Sequence, residues 1–251
     1  MSLFESTLPF GEPELMRVSS FRRYLADMGR GAGDTAATTR LSSLNPSLLE
    51  DLLRFEQGGR GADVLEVLAA SVRHARALAV HLQCGDRVLP LTVFPLERLA
   101  HCPVDLRAIV EAREAELPVL QVEAAVLRPP GDRQTDLVGE PQMYRPLSPL
   151  LWALALYGAR GELLPEIAGT AVYRVSPAFD VTLVPAGPLR EVLRLLRYRV
   201  ASLRDIASWP GFDRDKAARL VNAIYLQSGL IVSRSHPAAL GDSSWFGGNG
   251  P

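Results

Sequence analysis

The stretch Ser202–His236, SLRDIASWPGFDRDKAARLVNAIYLQSGLIVSRSH, holds three elements with clear punctuation between them. Ser202 suits the N-cap of a helix over Leu203–Ser208, and Pro210-Gly211 breaks that helix sharply. Asp213 caps a second helix, Arg214–Gln227, whose Ala217, Leu220, Val221, Ile224 and Leu226 make an apolar face, with Gly229 as its C-cap. Leu230–Ser233 then predicts a short strand. The polar positions of the longer helix, Arg214, Asp215, Lys216, Arg219, Asn222 and Gln227, fall on the face expected to meet solvent.

Preceded by an amphipathic helix over Pro188–Tyr198, the order becomes helix, helix, turn, helix, strand, which resembles a winged helix. In the nucleic-acid version of that reading, the Arg214–Gln227 helix enters a major groove. Arg214, Lys216 and Arg219 are opposed by Asp213 and Asp215, however, whereas phosphate-neutralising helices carry a positive excess. Pro210-Gly211-Phe212-Asp213 followed by Ala217 resembles the hairpin of helix-hairpin-helix proteins. There, Asp213 stands where that hairpin has a glycine, removing the permissive backbone and putting a negative charge where a phosphate would sit.

Taken from Leu147 onward, the chain resembles a third family. The apolar helix Leu147–Tyr157, holding SPLLWALALY, the short strands after it at Ala171–Val175 and Val181–Val184, the helix SLRDIA, the turn, and the helix ending LQSGLI are similar to the C-terminal part of PatA N-terminal-type adaptor domains. Such domains occur in bacterial response-regulator and gliding or phototaxis proteins. The resemblance covers roughly the last hundred residues and implies regulatory protein interaction without catalysis. On it, Arg214, Asp215, Lys216, Arg219 and Asn222 form an interaction surface. DNA-binding transcriptional regulation through residues 189–236 is the alternative.

Working outward, 251 residues at 47% hydrophobic and 22% charged suffice for two modest domains. The formal net charge of −1 provides no basic field for nucleic acid or an anionic membrane. Lys216 is the one lysine among 27 basic residues, a bias expected of a GC-rich bacterial genome. Glu5 and Glu12 do not suit a signal peptide, and no run reaches the ~18 apolar residues of a membrane helix. A cytoplasmic protein with reduced Cys84 and Cys102 is expected.

The predicted fold class is α+β. An N-terminal domain over 1–127 holds helices at Val18–Met28, after Asn45-Pro46, and at Ala62–His74, with Gly29–Thr39 a loop between the first two. ALAVHLQ and RVLPLTVF around CGD predict a β-hairpin, its second strand at an edge or bulged because of Pro90. A helical turn at Pro95–Ala100, a helix at Val104–Glu116 and a strand at Pro118–Leu127 follow. Arg128–Tyr144 holds three prolines and two glycines and is expected as the linker. The winged-helix-like domain spans 145–236, and 237–251 is expected to be disordered. Within that tail, Trp245-Phe246 has nothing local to bury against and is a candidate docking motif.

Signals for chemistry are sparse, and no catalytic residue, cofactor or metal is expected. His81, Cys84, His101 and Cys102 are the metal-type residues, but His101 and Cys102 are adjacent and cannot readily point at one ion. A strand also puts His81 and Cys84 on opposite faces. Cys102 beside His101, with Asp105 nearby, is a nucleophile–base pair in sequence only. GRGAG at residues 29–33 lacks both the preceding strand and the Lys-Ser/Thr of a phosphate loop.

Overall fold

The computed structural model describes residues 15–31, 46–57, 63–112, 116–180, 184 and 187–236. They form a mixed α and β structure with two antiparallel sheets. The chain divides into two compact units, Met1–Ile109 with Ala115–Leu147, and Val110–Glu114 with Ser148–Pro251.

In the first unit, α1 (Val18–Gly31) runs through the first residues of the expected glycine loop, whose remainder lies outside the described residues. Helices α2 (Pro46–Gln57) and α3 (Val64–His74) pack together, α3 being capped by Asp63 and closed by Ala75 in the left-handed region at φ 50°. β1 (Leu78–Cys84) and β2 (Arg87–Phe94) make the expected hairpin, with Cys84 opposite Arg87. The two-residue loop puts Gly85 at φ 58°, which suits a first turn position that disfavours side chains. On β1, Leu78, Val80 and Leu82 are wholly buried, and the alternate His81 lies beneath Phe21 of α1.

Two expectations fail in this sheet. The turn at Pro95–Ala100 yields a third strand, β3 (Leu99–His101), and the sheet has five strands in the order β4-β1-β2-β3-β5. β4 is Val119–Ala124 and β5 is Tyr144–Pro146, with α4 (Leu106–Ala112) between β3 and β4 in the chain. β2 is thus central, yet Pro90 fits. Val88 N–H donates outward to Met16 O, so Pro90, two residues on, aims its nitrogen away from β1. Since β3 reaches only Thr92–Phe94, the missing donor costs no ladder bond.

Arg128–Tyr144 is no free linker, because it belongs to the first unit and leads into β5. Arg128 N–H donates to Leu137 O at 2.9 Å, Gly139 N–H donates to the Tyr144 hydroxyl at 2.9 Å, and that hydroxyl donates to Arg128 O. Proline and glycine here shape a pinned loop, and the tyrosine at its end ties it shut.

In the second unit, α5 (Leu147–Tyr157) is the expected apolar helix, with Leu150, Leu151, Leu154 and Ala155 buried. β6 (Val172–Val175), α6 (Pro188–Tyr198), β7 (Ala201–Ser202), α7 (Leu203–Ala207), α8 (Arg214–Leu226) and β8 (Leu230–Ser233) follow. The strand expected at Val181–Val184 lies almost wholly outside the described residues. β6 instead pairs with β7 on one side and β8 on the other, giving the order β7-β6-β8. Ser202 closes a capping box with Asp205, and Asp213 accepts from Lys216 N–H at 2.8 Å. Between them, Phe212 N–H returns to Trp209 O across Pro210 and Gly211, the latter at φ 81°, as a type II turn requires.

The α8–β8 junction differs from expectation. Ser228, at φ 57°, takes the left-handed position expected of Gly229. Gly229 has another reason to be glycine, since a Cβ there would lie 2.5 Å from the Phe179 ring.

Candidate interaction surface

The polar stripe of α8 is largely spent inside the second unit. Arg219 Nη1 donates to Gly158 O at 2.7 Å and to Leu156 O at 3.4 Å, while its Nε donates to Asp215 at 2.7 Å. Its side chain is only 17% exposed. One turn on, Asn222 is 0% exposed, accepting from Leu164 N–H at 2.9 Å and donating to Glu162 O at 2.8 Å. At the far end, buried Gln227 accepts from the Ser148 hydroxyl at 2.7 Å and donates to Ser148 O at 3.1 Å.

Apart from the Asp215 pair, these contacts all reach the segment between Ser148 and Leu164. The start of α8 holds the end of α5, the middle holds the loop after it, and the end holds the start of α5. Asp215, Arg219 and Asn222 follow helical spacing, with Gln227 just past the helix end, and the last three meet backbone carbonyls of the segment 148–162. Two candidates are therefore corrected: Asn222 is a buried strut and Arg219 a carbonyl clamp. Arg214, Asp215 and Lys216 are exposed, Lys216 lying 3.7 Å from Asp213. Trp245 and Phe246 lie outside the described residues.

A different region of the unit is open. On α6, Val192, Leu193 and Leu196 are buried, whereas Leu195 is 48% and Tyr198 85% exposed. Val200, at the entry to β7, and Ile231 on β8 are each 38% exposed. The register pairs Val172 with Ser202 and Tyr173 with Ala201, so one further step puts Val200 beside Arg174. On the other side, Arg174 pairs with Ile231. Val200, Arg174 and Ile231 thus form a row across the sheet, on one face by strand geometry. The sequence held a signal for part of it: Leu195 and Tyr198 fall on the arginine side of α6, away from its buried stripe.

The metal-type residues do not converge. Among the described residues no group of three or more His, Cys, Asp or Glu is gathered as ligands would be. His81 is held below its usual pKa by burial, which outweighs Glu123 at 4.0 Å. His101 is likewise lowered by burial, its ring meeting Tyr144 edge-on at 4.8 Å. Burial pushes the Cys102 thiol up to about 11, so it stays protonated near neutrality and makes a poor nucleophile. A cluster with no evident sequence signal joins α2 to α3: Asp51 accepts from both His74 and Arg73. Burial raises the Asp51 pKa, but those partners outweigh it and hold the carboxyl below its ordinary value.

Among the described residues, no helix is long and apolar enough to cross a membrane. Comparison of the chain with family models, curated proteins and solved structures finds no match.

Proposed function

We propose that this chain is a non-catalytic adaptor or regulator that works by protein–protein contact in a bacterial signalling or assembly system in the cytoplasm. Its C-terminal unit is winged-helix-like in this reading, the order α6-β7-α7-α8-β8 following that arrangement, with β6 supplied from upstream. The observation that carries the reading is Tyr198, 85% exposed beside half-exposed Leu195. A large aromatic held in solvent on an ordered helix, flanked by arginines, has the composition of an interface anchor. No cofactor or metal enters the reading.

Photo-crosslinking tests it. A benzophenone amino acid at position 198 of the natively expressed chain should give a discrete adduct with one protein, and the same probe at exposed Asp136 should not. Equal, diffuse labelling from both positions would sink the adaptor reading.

DNA binding by α8 is the second reading, favoured by exposed Arg214 and Lys216 at the start of that helix. The inward use of Arg219 and Asn222 weighs against it, leaving few groups to read bases. Duplex binding at low salt that falls steeply as salt rises would restore it.

A further inference from the structure

We propose that the face bearing the row Val200–Arg174–Ile231, with Tyr198 at its rim, docks an acidic, aliphatic segment of a partner protein. The inference rests on the adaptor reading and names the chemistry of its partner.

Charge gives the first argument. Within the second unit, Arg219 is matched by Asp215 and backbone oxygens, Arg194 by Glu191 at 2.7 Å, and Arg197 by Pro177 O and Phe179 O. Arg174 and Arg199 have no carboxylate or carbonyl partner among the described residues. Arg174 is thus an unmatched guanidinium in the middle of the row, a local positive site on a chain whose formal net charge is −1. Arginine pairs with carboxylates bidentately, which gives register as well as attraction.

Apolar exposure gives the second. Neighbouring strands lie about 4.8 Å apart, so Val200 and Ile231 flank Arg174 within about 10 Å. That span matches a short segment presenting a carboxylate between aliphatic side chains. Branched residues on both sides dehydrate the central pair, and partial dehydration strengthens it. Tyr198 adds a broad rigid ring whose hydroxyl stays wet. Duplex DNA would use the arginine but leave Val200 and Ile231 without apolar contact, so a protein segment fits more of the site.

The test is selection from a random peptide-display library on the immobilised full-length protein. Enriched peptides should combine Asp or Glu with Leu, Ile or Val, and Arg174→Glu should weaken them by about tenfold or more. Tyr198→Ser should weaken them too, and selection on Arg174→Glu should turn toward basic aliphatic peptides. Both substitutions are at exposed positions, and circular dichroism with thermal unfolding verifies that each variant folds.

Three results would overturn the proposal. One is enrichment indifferent to Arg174→Glu, or no enrichment at all. Another is salt-sensitive duplex binding lost in Arg174→Glu, which would assign the face to nucleic acid. The third is concentration-dependent self-association lost in the same variant, which would assign it to a second copy. If the adduct formed from position 198 persists while Arg174→Glu changes nothing, the adaptor reading survives and this face is not its docking site.

Discussion

The stripe on α8 and the row across β7-β6-β8 each centre on an arginine, and they differ in what surrounds it. Arg219 sits over the end of α5, where helix geometry leaves carbonyls without intrahelical donors, so its charge is absorbed by backbone it can reach. Arg174 lies between two branched aliphatic side chains on an open sheet face and finds no acceptor. A polar residue on a helix therefore does not mark a surface until the neighbouring element is known. Conversely, exposed apolar residues mark this one better than charge does.

The sharpest way to break the contrast is Asn222→Leu. The substitution keeps the branch at Cγ but adds bulk and strands the Leu164 N–H in the interior, while Glu162 O keeps its bond from Arg160 Nε. One unmatched buried donor costs about 1–3 kcal/mol and fitting the larger side chain at a fully buried position costs about 1–3 kcal/mol more, so the loss should be about 2–4 kcal/mol, read from the urea midpoint at constant slope. A neutral result would mean that the stripe is not structural.

Next in size comes a matched pair. Arg219→Ala removes the clamp on Gly158 O and should cost about 1–3 kcal/mol, while Arg174→Ala should stay within about 0.5 kcal/mol. The Asp215 ion pair contributes little to this difference, because Asp215 is half exposed. Equal effects of the two substitutions on urea unfolding would erase the distinction between the surfaces.

Acid should separate the two units. His81 and His101, both in the first, have folded-state pKa values lowered by burial. Protonation is therefore harder in the folded state than in the unfolded chain. Stability is fully present above the unfolded value of about 6.5 and lost as pH falls through the lower folded one. Unfolding at pH 5 should be easier than at pH 7, and His81→Gln should reduce the difference. Among the described residues of the second unit, the only histidine is His236, beyond β8, so the α8 stripe and the Arg174 row should keep their contrast in acid.

How far the sequence was legible follows from the range of the forces involved. Elements set by local chemistry read well: Pro188–Tyr198, Leu147–Tyr157 and Leu230–Ser233 have the predicted bounds, and Asp213 caps as its position suggests. What failed depended on partners distant in the chain. Nothing near Asn222 announces Leu164, some sixty residues upstream, and nothing in YRP announces a strand beside Leu99–His101. Glycine and proline in Arg128–Tyr144 said that the chain turns, but not that Tyr144 would close the loop. The row Val200–Arg174–Ile231 draws on three strands and exists only once their register is known.

The smallest effect tests the joint between the two surfaces. Ser228 ends α8 and leads to Ile231 on the row, and it holds φ 57° without the freedom of glycine. Ser228→Gly removes that strain but also loosens the unfolded chain, so the net gain should be only about 0.5 kcal/mol. Gly229 beside it has the opposite constraint, being pressed against Phe179. If Ser228→Gly stabilises while peptide affinity at the row is unchanged, the joint is a fixed corner and the row is preformed. A gain in stability that also shifts affinity would show instead that the corner sets the register of β8, and with it the position of Ile231 beside Arg174.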